Sequence, residues 1–293
     1  MYKFCVTIVV IIAASLTFTA KAGVLSCDPS KVTLNTVALL TDLNDNLLQN
    51  GPYDASQCLG YDPGNDDQWG LSNPTNNIGQ YNDGLLNGEG DLFDGLEFIE
   101  ADELQVLGTW AGDPEPADAQ NDPGWIHLLN FQWDDELETG SYNYSSVKPN
   151  DNTGLFIGDL LEMSFDCADG DCTSADWSLT VKLDIIEQVQ AVLGDKTFDH
   201  LAFSVKAGTG FAVYDFDFID IFNNEPNPAL NFLTPYAFTG TLNTMDLAGK
   251  GVSHINVWAR DPADTTTVPE PWSLALLALG LLMMGLSRWR LKA

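Results

Sequence analysis

The chain has 293 residues, with 42 Asp+Glu against 12 Lys+Arg and a formal net charge of −30. Such a surface lacks the cations that displace counterions from a phosphate polymer, which excludes nucleic acid as a partner and disfavours anionic lipid headgroups. The 45% hydrophobic and 11% aromatic content excludes a disordered polyelectrolyte, because that much apolar surface is enough to form a core.

At the N-terminus, Lys3 precedes an apolar stretch from Val6 to Leu16, and Ala20-Lys21-Ala22 fits a small-x-small cleavage site. This is the order of a secretory signal peptide over residues 1–22, exported by the Sec machinery, with Gly23 as the first mature residue. An uncleaved N-terminal anchor is the alternative, and the shortness of the apolar stretch argues against it. Of the acidic residues only Glu270 lies outside 23–267, and five of the basic ones do, which leaves 41 acids to seven bases and a net of −34 in between.

Leu39, Leu40, Leu43 and Leu47 share one helical stripe, so the spacing predicts a helix over Val37 to Leu48, weakened by its Asn and Asp. From Gly51 to Asp94 the chain is dense in Gly, Asn, Asp and Pro and reads as long surface loops pinned by Cys58. Two oxygen-rich stretches there are weak candidates for calcium: Asp62, Gly64, Asn65, Asp66 and Asp67, then Asn82, Asp83, Asn87, Glu89 and Asp91. Neither keeps the spacing of an EF-hand loop. Asp166, Asp169 and Asp171 make a third acidic turn. No motif demands a cofactor, and calcium is the one that these loops leave open.

Strand periodicity dominates the rest. Leu104 to Trp110, the alternation of His127, Leu129, Phe131 and Trp133, and Leu155 to Phe165 give three runs. Trp177, Leu179, Val181, Leu183 and Ile185 alternate with polar residues in a fourth. Leu201, Phe203 and Val205, then Phe211 to Phe222, then Ile255, Val257 and Ala259 complete the series, with Gly208-Thr209-Gly210 as hairpin chemistry between two of them. Strands without intervening amphipathic helices predict an all-β antiparallel sandwich or jelly roll over residues 23–260, with a loop-rich first third.

Cys5 falls in the signal peptide, leaving Cys27, Cys58, Cys167 and Cys172. Four cysteines in an oxidising compartment allow three pairings, and local spacing favours Cys27 with Cys58 and Cys167 with Cys172, the latter a clip across a hairpin. A thiolate metal site would need closer C-x-x-C pairs.

Catalytic signatures are missing: no G-x-S-x-G, H-E-x-x-H, P-loop or G-x-G-x-x-G occurs, so no catalytic residue is assigned. His127 and His200 begin strands without a serine or cysteine partner nearby in sequence, and His254 shares a strand face with Asn256, Trp258 and Arg260, which reads as sheet surface. Asp134, Asp135, Glu136 and Glu138 cluster near Trp125 and Trp133, yet a chain this acidic produces such clusters without a glycosidase site. For sugar stacking, Trp69, Trp110, Trp125, Trp133, Trp177 and Trp258 are the aromatic platforms; Trp177 reads as core and Trp258 as the better candidate.

Residues 261–267 form a polar linker. Then come Val268, Pro269, Glu270 and Pro271, an uncharged apolar run from Trp272 to Leu286, and a basic end with Arg288, Arg290 and Lys292. Fifteen residues as a helix reach only ~22 Å against a ~30 Å hydrocarbon core, a marginal transmembrane helix whose basic end stays cytoplasmic. The prolines hold the preceding segment extended and accessible. These elements over 268–293 resemble the PEP-CTERM sorting signal of Gram-negative bacteria. The resemblance implies processing by an exosortase, a membrane-embedded cysteine protease, followed by delivery to the cell surface or extracellular matrix, and an association with exopolysaccharide. The expectation is a surface or matrix protein, not an enzyme, with a structural, adhesive or glycan-binding role. A secreted polysaccharide hydrolase using loop carboxylates and a calcium-dependent adhesin are the rivals.

Overall fold

Apolar residues at alternate positions build antiparallel strands, and their pairing sets two sheets face to face. The computed structural model describes residues 23–66, 77, 79, 83–88, 93, 97–98, 124–148, 154–193 and 197–260. In chain order the strands are β1 (Gly23–Leu25), β2 (Val32–Leu39), β3 (Tyr53–Asp54), β4 (Gln57–Asp62), β5 (Trp125–Asp134), β6 (Thr139–Tyr144), β7 (Ser146–Val147) and β8 (Leu155–Phe156). They continue as β9 (Leu161–Cys167), β10 (Ser174–Val181), β11 (His200–Ala207), β12 (Gly210–Asp217), β13 (Tyr236–Asn243) and β14 (Val252–Arg260), with helices α1 (Ile185–Leu193) and α2 (Phe218–Asn224) between. The larger sheet has the order β1-β4-β12-β11-β14-β5-β6 and the smaller β3-β2-β13-β10-β9, while β7 and β8 pair alone. The all-β antiparallel architecture is that expected from the periodicity. Among the described residues no helix is long and apolar enough to cross a membrane, and the 272–286 segment lies outside them.

One core fills the space between the sheets. Trp177 of the small sheet meets Phe203 of the large one at 5.0 Å between ring centroids, and Phe131 meets Phe165 at 4.8 Å, tilted geometries that aromatic pairs favour. The disulfides tie this body locally: Cys27–Cys58 joins the chain after β1 to β4, and Cys167–Cys172 clips the β9–β10 turn. Both pairings are the ones local spacing favours, and they fit folding in an oxidising compartment.

Several expectations are corrected. The segment expected as a helix over 37–48 is instead the end of β2 followed by a turn. A bulge at Asn35 breaks the period of two, so Val32, Leu34 and Val37 all reach the core and no clean alternation shows in the sequence. Asn and Asp then take the backbone donors a helix would use: Asp42 accepts from Asn44 N, and Asn46 Oδ1 accepts from Val37 N and Leu48 N. The fourth run stops at Val181: Leu183 is 71% exposed and Ile185 opens α1, so an amphipathic helix does intervene. The run expected from Phe211 to Phe222 ends at Asp217, whose side chain caps α2 by accepting from Ile219 N and Asp220 N. The run from Leu155 divides into β8, a short 3-10 turn over Ile157–Asp159, and β9. Strand β13 was not legible, and Cys58 lies within β4 instead of a loop. The Leu104 to Trp110 run lies outside the described residues.

Gly240 marks the tightest point in the small sheet. It faces the β2 bulge, where a Cβ would sit 1.9 Å from Thr33 O and 2.4 Å from the Trp177 ring, and Trp177 Nε1 donates to that same Thr33 carbonyl at 3.1 Å. Gly240→Ala is expected to cost about 3 kcal/mol or more by forcing apart backbone and indole, read as a shift in the urea midpoint. A variant within 1 kcal/mol of the parent would mean the bulge relaxes freely.

Candidate functional site

Over β11, β12, the start of β5 and most of β14, the outer face of the larger sheet is buried as the inner one is. Leu85, Leu86 and Phe93, from the stretch expected to be surface loops, pack together with Phe98 on Trp125, Ala202, Phe211, Val213 and Trp258. The 51–94 region is therefore in part a cover. Two of its asparagines fit a gap in the sheet, because β6 pairs with β5 only from Leu129 onward. Upstream of that point Asn87 accepts from Trp125 N at 3.2 Å and donates to Trp125 O at 2.6 Å. Asn77 does the same for His127 N and O at 3.0 and 2.8 Å. Each side-chain amide stands in for the missing strand and satisfies buried backbone groups.

Beneath this cover runs a polar network. Ser145 Oγ lies 2.5 Å from His127 Nδ1, and His127 Nε2 lies 3.3 Å from Asn256 Oδ1. Asn256 Oδ1 also accepts from Asn130 Nδ2 at 2.8 Å, so the pattern assigns the proton of the neutral imidazole to Nε2 and makes Nδ1 the acceptor from Ser145. Asn256 Nδ2 in turn donates to Asp66 Oδ2 at 3.3 Å, Ser204 Oγ donates to the same oxygen at 2.5 Å, and His254 Nε2 donates to Asp66 Oδ1 at 2.6 Å. The chain of donors ends on one fully buried carboxylate. Burial holds His127 down to about 3, with the Asn256 hydrogen bond opposing that shift only in part. A serine, an imidazole and an amide thus come together in nucleophile–base–orienter order. However, His127 and Ser145 are closed to solvent and the imidazole is a poor base.

A second cluster occupies the end of the sheet where β14 finishes. His200 Nδ1 lies 2.8 Å from Asp215 Oδ2, and Arg260 Nη2 lies 3.3 Å from Asp199 Oδ2. Burial opposes the charge on His200, but the Asp215 carboxylate outweighs it and raises the imidazole above its usual range. Burial pushes the Asp215 carboxyl up in spite of His200 and Arg260; the contact at 2.8 Å supports the paired state, with the proton on His200.

The sequence-derived candidates are distributed as follows. His254 and its neighbours are not sheet surface: His254 is 13% exposed on its side chain, and Asn256, Trp258 and Arg260 are buried. Trp258, favoured for sugar stacking, is 0% exposed, as is Trp125, so neither offers a ring face. Trp177 is core as expected; Trp133 is partly buried and donates from Nε1 to Gly170 O at 3.0 Å. Trp69 and Trp110 lie outside the described residues. Asp134, Asp135, Glu136 and Glu138 sit at the exposed β5–β6 tip, where Asp134 closes the turn by accepting from Glu136 N and Leu137 N.

Among the calcium candidates, Asp62 accepts from Thr209 Oγ1, Asp66 is the network's terminus, and Asp83 offers its backbone carbonyl to Asn87. Asp67, Glu89 and Asp91 lie outside the described residues. Asp169 spends both oxygens on Thr173, which lowers its pKa. Among the described residues no group of three or more His, Cys, Asp and Glu is arranged to hold a metal. Ala20, Ala22, Val268, Pro269, Glu270, Pro271, Arg288, Arg290 and Lys292 also lie outside them, while Gly23 opens β1.

What the sequence missed is the network itself. Ser145, Asn77, Asn87 and Asp66 carry no motif, and they meet His127 and His254 only through strand pairing and the folded cover. The chain matches no family model, no curated protein and no solved structure.

Proposed function

We propose that this chain is an exported protein, sorted by its C-terminal segment to the cell surface or matrix, where the sandwich has a structural or adhesive role. The observation that supports this reading is the pair of disulfides, Cys27–Cys58 and Cys167–Cys172, each of which suits an oxidising, extracellular setting. Strand β1 begins at Gly23 opposite Asp62, and through the register of β4, β12 and β11 that end of the sheet is the His254 end of β14. Strand β14 runs from there to Arg260, so Gly23 and Arg260 lie at opposite ends of the sheet, roughly 25 Å apart along the strand direction at ~3.3 Å per residue.

That arrangement suits two separate processing events. Removal of residues 1–22 after Ala20-Lys21-Ala22 leaves β1 whole. On the other side, the 261–267 linker and the Pro269-Glu270-Pro271 tripeptide follow the last strand in sequence, so an exosortase-type protease acting there cuts outside the strands of the sandwich. The described imidazoles are closed off from solvent, with His127 and His200 buried and the His254 side chain 13% exposed, which favours a structural or binding role over hydrolysis. A strongly acidic surface points to neutral polysaccharide, not polyphosphate, as a matrix partner.

Mass spectrometry of the termini, on protein from the native host's culture fluid and membrane fraction, tests the reading. The expected product starts at Gly23 and ends near Pro269 or Glu270. An intact Ala293 on a membrane-bound chain would overturn the sorting proposal and leave a plain anchor.

A further inference from the structure

At the Arg260 pole the two sheets part around a cavity of about 150 Å³. Its walls include Leu161 and Leu179 of the small sheet, Leu201 of the large one, Val189 of α1, and Phe218 and Phe222 of α2. The polar groups of the 229–236 turn at its edge are committed, while His200, which also lines it, bonds Asp215 through Nδ1 and has no hydrogen-bond partner on Nε2, 3.9 Å from Asp217 Oδ1. Tyr236 Oη donates to Ala229 O and accepts from Asn231 N, while Asn231 Oδ1 accepts from Leu233 N and Thr234 Oγ1. These groups therefore hold the 229–236 turn in place and ask nothing of a ligand. Most of the cavity's lining is apolar, so a water inside finds few hydrogen-bond partners, and an enclosed void of similar volume in another protein takes up benzene.

The approach to the cavity is apolar too. Ile186 and Pro235 line both the cavity and an outer recess whose other members include Leu183 and Leu233, and these two leucines are 71% and 70% exposed. Asp184 and Glu187 flank the same recess, a field that repels carboxylates and phosphates. From size, lining and charge together we infer that this pole binds one small, uncharged apolar molecule about the size of a benzene ring. A fatty acid fits neither the volume nor the flanking charge. The inference does not depend on how the protein is sorted.

The test uses protein recovered from the host, with benzene as the probe. Thermal unfolding followed by near-ultraviolet circular dichroism is expected to shift upward with benzene concentration, as for any ligand bound by the native state alone. The ¹⁹F resonance of hexafluorobenzene is expected to broaden with the protein and to sharpen on competition with benzene at one site per chain. Val189→Phe, which fills the void, should weaken benzene binding by about tenfold or more, whereas Val189→Ala should retain it and admit a larger ring. If Val189→Phe does not fold, Ile186→Phe replaces it, and the one-site competition in the parent stands alone as a readout. No shift and no broadening in the parent, uptake at many sites, or binding undiminished in a folded filling variant would each overturn the proposal.

Discussion

Replacing Asp66 by alanine is expected to lower the free energy of unfolding by about 3–5 kcal/mol, the range for removing one partner from a buried, hydrogen-bonded charge. The carboxylate is fully buried and collects Ser204, Asn256 and His254, which come from two adjacent strands of the large sheet. Without it, three donors lose their acceptor in a site from which water is excluded, and each orphaned group carries a desolvation penalty of about 1–3 kcal/mol. The loss is also topological, because Asp66 is where the segment after β4 is fastened onto β11 and β14. Asp66→Asn keeps the shape but turns one acceptor into a donor facing other donors, so an intermediate loss is expected. Urea unfolding measures both. A loss below 1 kcal/mol for Asp66→Ala would show that the cover is held by its apolar residues instead, and the network would then be incidental to stability.

The strands that alternate cleanly were legible because a period of two survives in them. Leu201, Phe203 and Val205 face the core while Ala202, Ser204 and Lys206 face away, and Gly208 sits at φ +58 in the two-residue turn that follows. Where the bulge at Asn35 intervenes in β2 the signal fails, whereas in β5 the alternation of His127, Leu129, Phe131 and Trp133 stays readable past the bulge at Leu128. The outward residues of β14 misled for a different reason. His254, Asn256 and Arg260 are the polar members of an alternating strand, which normally marks the solvent side, but here that side is covered by chain from a Gly- and Asn-rich stretch with no periodicity of its own. Asn77 and Asn87 show why such a stretch can be interior: an amide side chain supplies the donor and acceptor of a backbone unit, so irregular chain can finish a sheet without forming a strand. A site assembled from 66, 127, 145, 204 and 256 is long-range in every pair, with His127 and Ser145 the nearest at 18 residues, and leaves no local trace.

Acid is expected to destabilise this protein through His127 in particular. In the unfolded chain its imidazole titrates near 6.5, and in the folded chain burial lowers it to about 3. Between those values the unfolded state binds a proton that the folded state refuses, so stability is fully present above 6.5 and falls as the pH falls. The slope is about 1.4 kcal/mol per pH unit, and about 5 kcal/mol is lost by pH 3. His200 has the opposite sense: raised by Asp215, it contributes stability below 6.5 that is lost as the pH rises through its folded value, so it is constant across the acid range. A paired comparison isolates His127 from His200 and from the many surface carboxylates. His127→Gln, which keeps an acceptor for Ser145 and a donor for Asn256, should be less stable than the parent at pH 7. The gap should then narrow by about 3 kcal/mol on going to pH 4, because only the parent still has the imidazole to protonate. Parallel stability curves for the two proteins over that range would mean that His127 takes up its proton as readily in the folded protein as in the unfolded chain, and the assignment of Nδ1 as the acceptor from Ser145 would be wrong.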